Sequence, residues 1–327
     1  MVIDKTQVKR ILVITLSNVG DIILTTPVIG TLSKEFPSAR IDVMVGPNGK
    51  EIFEKDPAVF KLIIYDKHLP ISQKRRLHLK LKKLKYDMVV DLRNTIFPLL
   101  LGPRFRTGTI QRFPKDIIHS RQKHLYRLVS LGIENLIEPS YIYIPKEDED
   151  YVSGLLAASG IAEPIVIINP GSKSHLKRWR PEGFAEVADL LIDECKASVV
   201  FVGMGEDAKI VSTIINKMKG RPYNLVDKTN IRQLASLMKR SKLIITNDSA
   251  PLHLGCAIGI KVLAIFGPTN PDRYGPTGEF DVVMSTKLSC SPCESATCER
   301  GHECMKLVSS ADVFGAAKLM IEGYEEI

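Results

Sequence analysis

Apolar residues along this chain come in short, nearly continuous runs, separated by longer stretches with helical spacing. The first run, at 11–15, turns through Ser17-Asn-Val-Gly20 into a helical pattern over 21–34, and further runs follow at 41–45, 62–65 and 88–92. Runs without polar alternation fit strands buried on both faces. Their alternation with helices predicts an α/β fold with a parallel, doubly wound sheet. Pro27 predicts a kink in the first helix near Thr25 and Thr26. A composition shift at 145–150 precedes a helix over 150–159, with Gly160 as its C-cap. The pattern then restarts, with strands expected at 165–169, 198–202, 224–226, 243–246 and 261–266. Helices are expected over 181–195, 206–218 and 231–239, and from Pro251 onward. Two doubly wound domains follow, 1–160 and 161–327, with the last helix placed to pack back on the first. Ligands in such sheets sit beyond the C-terminal strand ends, and with two halves the shared cleft is the default site.

The 327 residues fit about two domains. An apolar fraction of 44% excludes disorder as the main description. No run approaches the roughly 18 apolar residues of a membrane-spanning helix. Residues 1–10 lack an apolar leader with a cleavage site, so a cytoplasmic protein is expected. The net charge of +8 favours acidic partners. Seven cations crowd residues 74–85 with no acid among them, and Leu77, Leu81 and Leu84 fall on one helical stripe. The segment reads as a solvated surface helix or as a patch for a membrane surface or acidic ligand. Nucleic acid is not expected, since no helix-turn-helix signature or base-stacking aromatic strand is present.

Five segments carry candidate chemistry. Asp21 follows Gly20 where the first strand turns into a helix. There it reads as a helix cap or as a general base at a strand end. Asn169-Pro-Gly171-Ser leads to Lys177, Arg178, Trp179 and Arg180, cations at a strand end that suit an anionic ligand. Asn247-Asp248-Ser249-Ala250-Pro-Leu-His253 opens a helix whose first N–H groups suit an anion. Gly203-Met-Gly205-Glu206-Asp-Ala208, with Asp227 beyond it, formally matches a dinucleotide fingerprint. It lies in mid-chain, however, and Glu206 opens the helix where a pyrophosphate must sit. Finally, Cys290, Cys293, Cys298 and Cys304 could give four thiolates to a structural zinc or remain free thiols, and they form only one C-x-x-C pair.

Taken together, the chain resembles glycosyltransferase family 9, the ADP-heptose:lipopolysaccharide heptosyltransferases. The resemblance rests on Ser17-Asn-Val-Gly-Asp-Ile-Ile-Leu-Thr-Thr-Pro27, Asn169-Pro-Gly171, Lys177-Arg-Trp179 with Pro181-Glu-Gly-Phe184, Asn247-Asp-Ser-Ala-Pro-Leu-His-Leu254 and Phe266-Gly-Pro-Thr269. The spaced C-terminal cysteines look like those of some members. Arg180 is extra to the pattern, and Ala250 stands where glycine is more usual. The resemblance implies a GT-B fold of two Rossmann-like domains facing a central cleft, with the acceptor in the first and the nucleotide-sugar in the second. It implies inverting transfer of a heptose or similar sugar from an ADP-sugar to a lipopolysaccharide core, with no cofactor required. Asp21 then resembles the catalytic base and Lys177 the leaving-group lysine. Asn169, Gly171, Lys177, Glu206, Asp248, Ser249, Ala250 and His253 would bind the donor, with Glu206 on the ribose. Asn18, Arg93, Arg104 and Arg106 are the acceptor-side candidates. The acceptor would be a phosphorylated, lipid-linked saccharide, and the enzyme would work peripherally at the inner face of the inner membrane, on an anionic surface. An NAD-type oxidoreductase built on Gly203 and Gly205 is one alternative. A non-catalytic lipid- or nucleic-acid-binding module built on the basic patch is another.

Overall fold

The computed structural model describes residues 3–108, 110–137 and 139–323. The chain forms two compact units, Met1–Tyr143 and Ile144–Ile327. In the first, β1 (Arg10–Ile14), β2 (Arg40–Val45), β3 (Lys61–Ile64), β4 (Met88–Asp91) and β5 (Phe105–Arg106) form a sheet in the order β3-β2-β1-β4-β5. Every neighbouring pair is parallel. The chain walks outward from β1 to β3, then crosses back to β4 on the other side of β1. That reversal makes a switch point between β1 and β4, where the loops leaving the strand ends diverge and open a crevice.

The second unit repeats the logic with β6 (Ile165–Asn169), β7 (Ser198–Phe201), β8 (Tyr223–Asn224), β9 (Leu243–Asn247), β10 (Lys261–Phe266) and β11 (Val282–Ser285), ordered β11-β10-β9-β6-β7-β8. Its switch point lies between β6 and β9. The inner strands are buried along their whole length, as their unbroken apolar runs require.

The expected boundary at 160 moves to 143/144. The helix that was expected over 150–159 spans Lys146–Ser159, so the acidic run before it is a helical first turn. Acidic residues there are favoured by the helix dipole. Asp148 ties the helix into the second unit by accepting from Arg232 Nε at 2.7 Å and Gln233 Nε2 at 3.1 Å. Gly160 ends the helix at φ +67°, as expected.

The kink expected near Thr25 and Thr26 is a full break between helices Val19–Ile23 and Thr26–Glu35. The Thr25 and Thr26 hydroxyls donate to the Ile22 and Ile23 carbonyls at 2.6 and 2.8 Å. In the basic helix Ile71–Lys83, Leu81 is buried, and Leu77 and Leu84 pack against the cluster that holds Leu12, Ile14 and Met44. The last helix, Ser310–Glu322, belongs to the second unit's own core. Its Val313, Ala317 and Met320 are buried in the cluster that holds Leu191 and Val199.

Candidate active site

The loop leaving β6 and the turn leaving β9 flank the second switch point, and their side chains meet there. Asp248 immediately follows β9 and is buried. Its Oδ2 accepts from Lys177 Nζ at 2.6 Å and from Thr269 Oγ1 at 2.7 Å. Its backbone carbonyl accepts from Ser172 Oγ at 3.2 Å. Three loops, after β6, β9 and β10, are thereby gathered on one carboxylate. Lys177 keeps 30% of its side chain exposed, so the ammonium sits at a surface with one anchored partner.

Sequence neighbours of this pair serve as scaffold. Asn247 donates to the Pro170 carbonyl at 2.8 Å and accepts the Trp179 N–H at 3.1 Å, locking the two loops together. Asn169 is buried and donates to the Val202 carbonyl at 3.1 Å, while its Oδ1 accepts from Ser249 Oγ at 3.2 Å. Trp179 is an internal anchor, edge-on to Phe184 at 5.0 Å, with its Nε1 donating to the Val308 carbonyl. Of the three expected cations, only Lys177 faces Asp248. Arg178 Nε donates to the Ser172 carbonyl, and Arg180 pairs with Glu186.

Helix Ala250–Ile258 starts beside this carboxylate, with Pro251 in its first turn and His253 buried within it. Ser249 holds its N-cap position without a side-chain cap bond, its hydroxyl being turned to Asn169 and Thr246. Uncapped N–H groups and the positive end of the helix dipole suit an anionic ligand.

Gly171 has a reason other than ligand approach. A Cβ there would lie 2.2 Å from Asp207 Oδ1, and one at Gly203 would lie 2.6 Å from Asp207 Cβ. Asp207, which sequence reasoning passed over, fills the gap between the two glycines, and its Oδ2 accepts the Met204 N–H at 3.1 Å. Glu206 is exposed at the helix start beyond β7. Asp227 Oδ1 accepts the Gly205 N–H at 2.7 Å. The glycine turn is therefore filled by the chain's own carboxylates, which leaves its N–H groups unavailable to a dinucleotide pyrophosphate.

In the first unit, Asp21 lies beyond β1 at the other switch point. The helix-cap reading is not what forms. Asn18 holds the N-cap position, and its Nδ2 donates to Asp21 Oδ2 at 3.0 Å. Asp21 is partly exposed in the first turn. The neighbouring strand-end carboxylate, Asp91, is buried and accepts from the N–H groups of Arg93 and Thr95 and from the Thr95 hydroxyl. It holds a loop and is a poor base candidate. Arg93 and Arg106 lie toward the same rim; Arg93 stacks over Tyr65, and Arg106 donates to the Pro98 carbonyl. Arg104 does not. It precedes β5 at the opposite rim, where it donates to Gln7, so it leaves the acceptor-side set.

The four clustered cysteines are free thiols, Cys304 buried, Cys290 half-buried, Cys293 and Cys298 exposed. Among the described residues no group of three or more His, Cys, Asp or Glu side chains is placed to hold a metal ion. Burial pushes the Cys304 thiol up, with Cys298, Cys293 and Cys290 adding to it, which disfavours the thiolate a ligand needs.

Signals for the missed residues were present but faint. Thr269 closes a Gly-Pro-Thr segment after a strand, and Ser172 follows Asn-Pro-Gly. Neither has spacing that singles it out.

The profile of glycosyltransferase family 9 (heptosyltransferase) matches residues 131–303. A lipopolysaccharide heptosyltransferase 3 of Escherichia coli is 26% identical over 282 residues, 79% of this chain and 83% of that protein. A lipooligosaccharide heptosyltransferase 2 of Campylobacter jejuni is 26% identical over 313 residues, 93% and 95% of the two chains. The crystal structure of a family 9 glycosyl transferase from Veillonella parvula superposes with a TM-score of 0.84 at 26% identity, covering 96% of this chain and 97% of that one. The ADP-heptose heptosyltransferase II of E. coli gives 0.78 at 24% identity, covering 96% and 98%. The fold is GT-B. With its profile match over more than half its length and its strand-end motifs in place, the chain belongs to glycosyltransferase family 9 and is a glycosyltransferase.

Proposed function

We propose that this protein transfers a heptose, or a similar sugar, from an ADP-sugar to a lipopolysaccharide core acceptor with inversion at the anomeric carbon. The observation that carries the reading is the Lys177–Asp248 pair beside an uncapped helix N-terminus at the second sheet's switch point. Its relatives include a protein whose structure is described as that of an ADP-heptose lipopolysaccharide heptosyltransferase. In this reading the diphosphate binds against the N–H groups of helix Ala250–Ile258, near His253. Glu206 lies one strand away, toward the ribose.

The acceptor sits on the first unit near Asn18, Arg93 and Arg106, whose charge suits a phosphorylated, lipid-linked saccharide. Asp21 takes the proton of the attacking hydroxyl, oriented by the Asn18 amide. The new oxygen–carbon bond forms as the bond from the anomeric carbon to the diphosphate oxygen breaks. Negative charge then grows on the leaving diphosphate. Lys177 and the helix N–H groups meet it already in position, so little reorganisation is required at the moment of reaction. These donors carry the leaving-group role without a cofactor step. The work is done in the cytoplasm, at the inner face of the inner membrane.

The test pairs binding with turnover. ADP or an ADP-sugar should raise the melting temperature by mass action, and NADH should not. Asp21→Asn should keep that shift, because the change is nearly isosteric and Asp21 does not cap its helix. Its transfer rate should fall by about 10²–10⁴-fold, the usual cost of losing a general base. A wild-type rate in Asp21→Asn, or no response to any nucleoside diphosphate, would overturn the reading.

A further inference from the structure

We propose that the face built by helices Ile71–Lys83 and Phe97–Leu101 docks on the headgroup layer of an anionic bilayer. The two helices pack against one another in the first unit. Their inner residues, Leu77, Leu81, Phe97 and Leu101, share one apolar cluster. Their outer residues are not those of an ordinary solvated surface. Leu79 points away from the core and is 51% exposed. Helical spacing surrounds it with Arg75 and Arg76 one turn before and Lys82 and Lys83 one turn after, all four exposed. On the neighbouring helix and its N-cap, Ile96, Leu99 and Leu100 are exposed at 64%, 53% and 45%.

A single exposed leucine is ordinary on a solvated helix, whereas a group of exposed aliphatic residues marks an interaction surface. A leucine flanked by cations, with three more exposed aliphatic residues on the helix packed against its own, matches a surface lying in a membrane interface. Aliphatic side chains enter the acyl boundary while the cations stay with anionic headgroups. No acid lies between Ile71 and Tyr86 to oppose that field. Among the described residues no helix is long and apolar enough to cross a membrane, so this face would lie on the bilayer. Phe97–Leu101 follows β4, and the residue that ends β4, Asp91, is paired with Ile14 of β1. The docking face therefore adjoins the strand-end rim that carries Asp21. A lipid-linked acceptor would be met at that rim; in this purpose the inference rests on the proposed function, while the docking itself does not.

Vesicle sedimentation of the full chain tests it, with phosphatidylcholine alone against phosphatidylcholine plus phosphatidylglycerol. Binding should need the anionic lipid and weaken as salt rises. Reversing Arg75, Lys82 and Lys83 to Glu should weaken it by on the order of 100-fold or more. Leu79→Trp and Leu99→Trp should each show blue-shifted emission with anionic vesicles, against the quiet background of the buried Trp179. Equal binding to neutral vesicles, wild-type binding by the triple variant, or unshifted emission would overturn the proposal. So would sedimentation showing the same face closed by a second copy of the chain. ADP-induced thermal shifts and transfer to a detergent-dispersed acceptor are measured on the same variants. Absence of transfer in every form, wild type included, would sink the sugar-transfer reading and leave the vesicle result standing.

Discussion

At the scale of single residues, the second unit's site is organised by what Asp248 accepts. Lys177 and Thr269 donate to its carboxylate, so removing the lysine leaves a buried acid with one donor. Lys177→Ala should therefore fold with a modest stability loss, about 1–3 kcal/mol for an impaired buried acceptor. Its turnover should drop by on the order of 10²-fold, as for loss of one preorganised charge donor. Steady-state kinetics beside urea denaturation separates the two effects; wild-type kcat with intact fold would reduce Lys177 to a structural partner. A second residue-scale expectation concerns pH. Burial, with Arg127 and His119 adding to it, brings the His124 pKa from 6.5 down to about 4, and its Nδ1 has no hydrogen-bond partner among the described residues. The unfolded chain takes up that proton near 6.5, and the folded one resists it until about 4. Stability should thus be fully present above pH 6.5 and be lost as pH falls from there toward 4, by up to about 3 kcal/mol. In urea titrations at pH 7 and 4.5, His124→Gln should lose less than wild type. An identical loss in both would assign the pH dependence to other groups.

At the scale of elements, the loops after β6 and β7 are fitted to each other through Asp207. The two glycines beside it differ in what a methyl group would strike. At Gly171 it meets a carboxylate that can rotate away, giving up the Met204 N–H. At Gly203 it meets Asp207 Cβ, which is fixed to the helix backbone. Gly203→Ala should therefore be the costlier change, by about 1–3 kcal/mol of overpacking. Gly171→Ala should be partly restored by adding Asp207→Ala, a coupling that a double-mutant cycle reads directly. Additive effects would mean that the crowding is relieved elsewhere. The break between helices Val19–Ile23 and Thr26–Glu35 shows the same local economy in the first unit. Two threonine hydroxyls bond the carbonyls of Ile22 and Ile23 where the helix stops, and Pro27 sits in the first turn of the next one.

At the scale of the whole molecule, the junction between units decides what can fold alone. The helix Lys146–Ser159 contributes Asp148, which pairs with the buried Arg232. A fragment of residues 144–327 keeps that pair, and one beginning at 161 removes the Asp148 carboxylate from Arg232. Removing one partner of a buried ion pair typically costs about 3–5 kcal/mol. The longer fragment should unfold cooperatively and respond to ADP, and the shorter should be markedly less stable in calorimetry. Equal stability would show that the helix is an appendage and that the boundary at 160 describes the chain as well.

The sequence by itself determined the parallel α/β class, nine of the eleven strands (all but the edge strands β5 and β11) and the positions of Asp21, Lys177 and Asp248 at strand ends. These are legible because buried parallel strands need unbroken apolar runs, and because helices begin with recognisable turn residues. The inward stripe of Leu77, Leu81 and Leu84 was legible for the same reason, since it depends only on periodicity. Tertiary structure alone decided which strand ends lie side by side. Strand order placed the turns after β6 and β9 at one switch point and joined Lys177, 71 residues away, to Asp248. It also sent Arg104 to the far rim, although Arg106 is two positions along, because the rim a residue occupies depends on which end of its strand it flanks. Only packing showed that Asp91 is consumed by its own loop and that Asp227 and Asp207 fill the glycine turn, which removes the dinucleotide reading. Local spacing reports what a segment can form. Which carboxylate remains available for chemistry is settled by hydrogen bonds from residues far away in the chain.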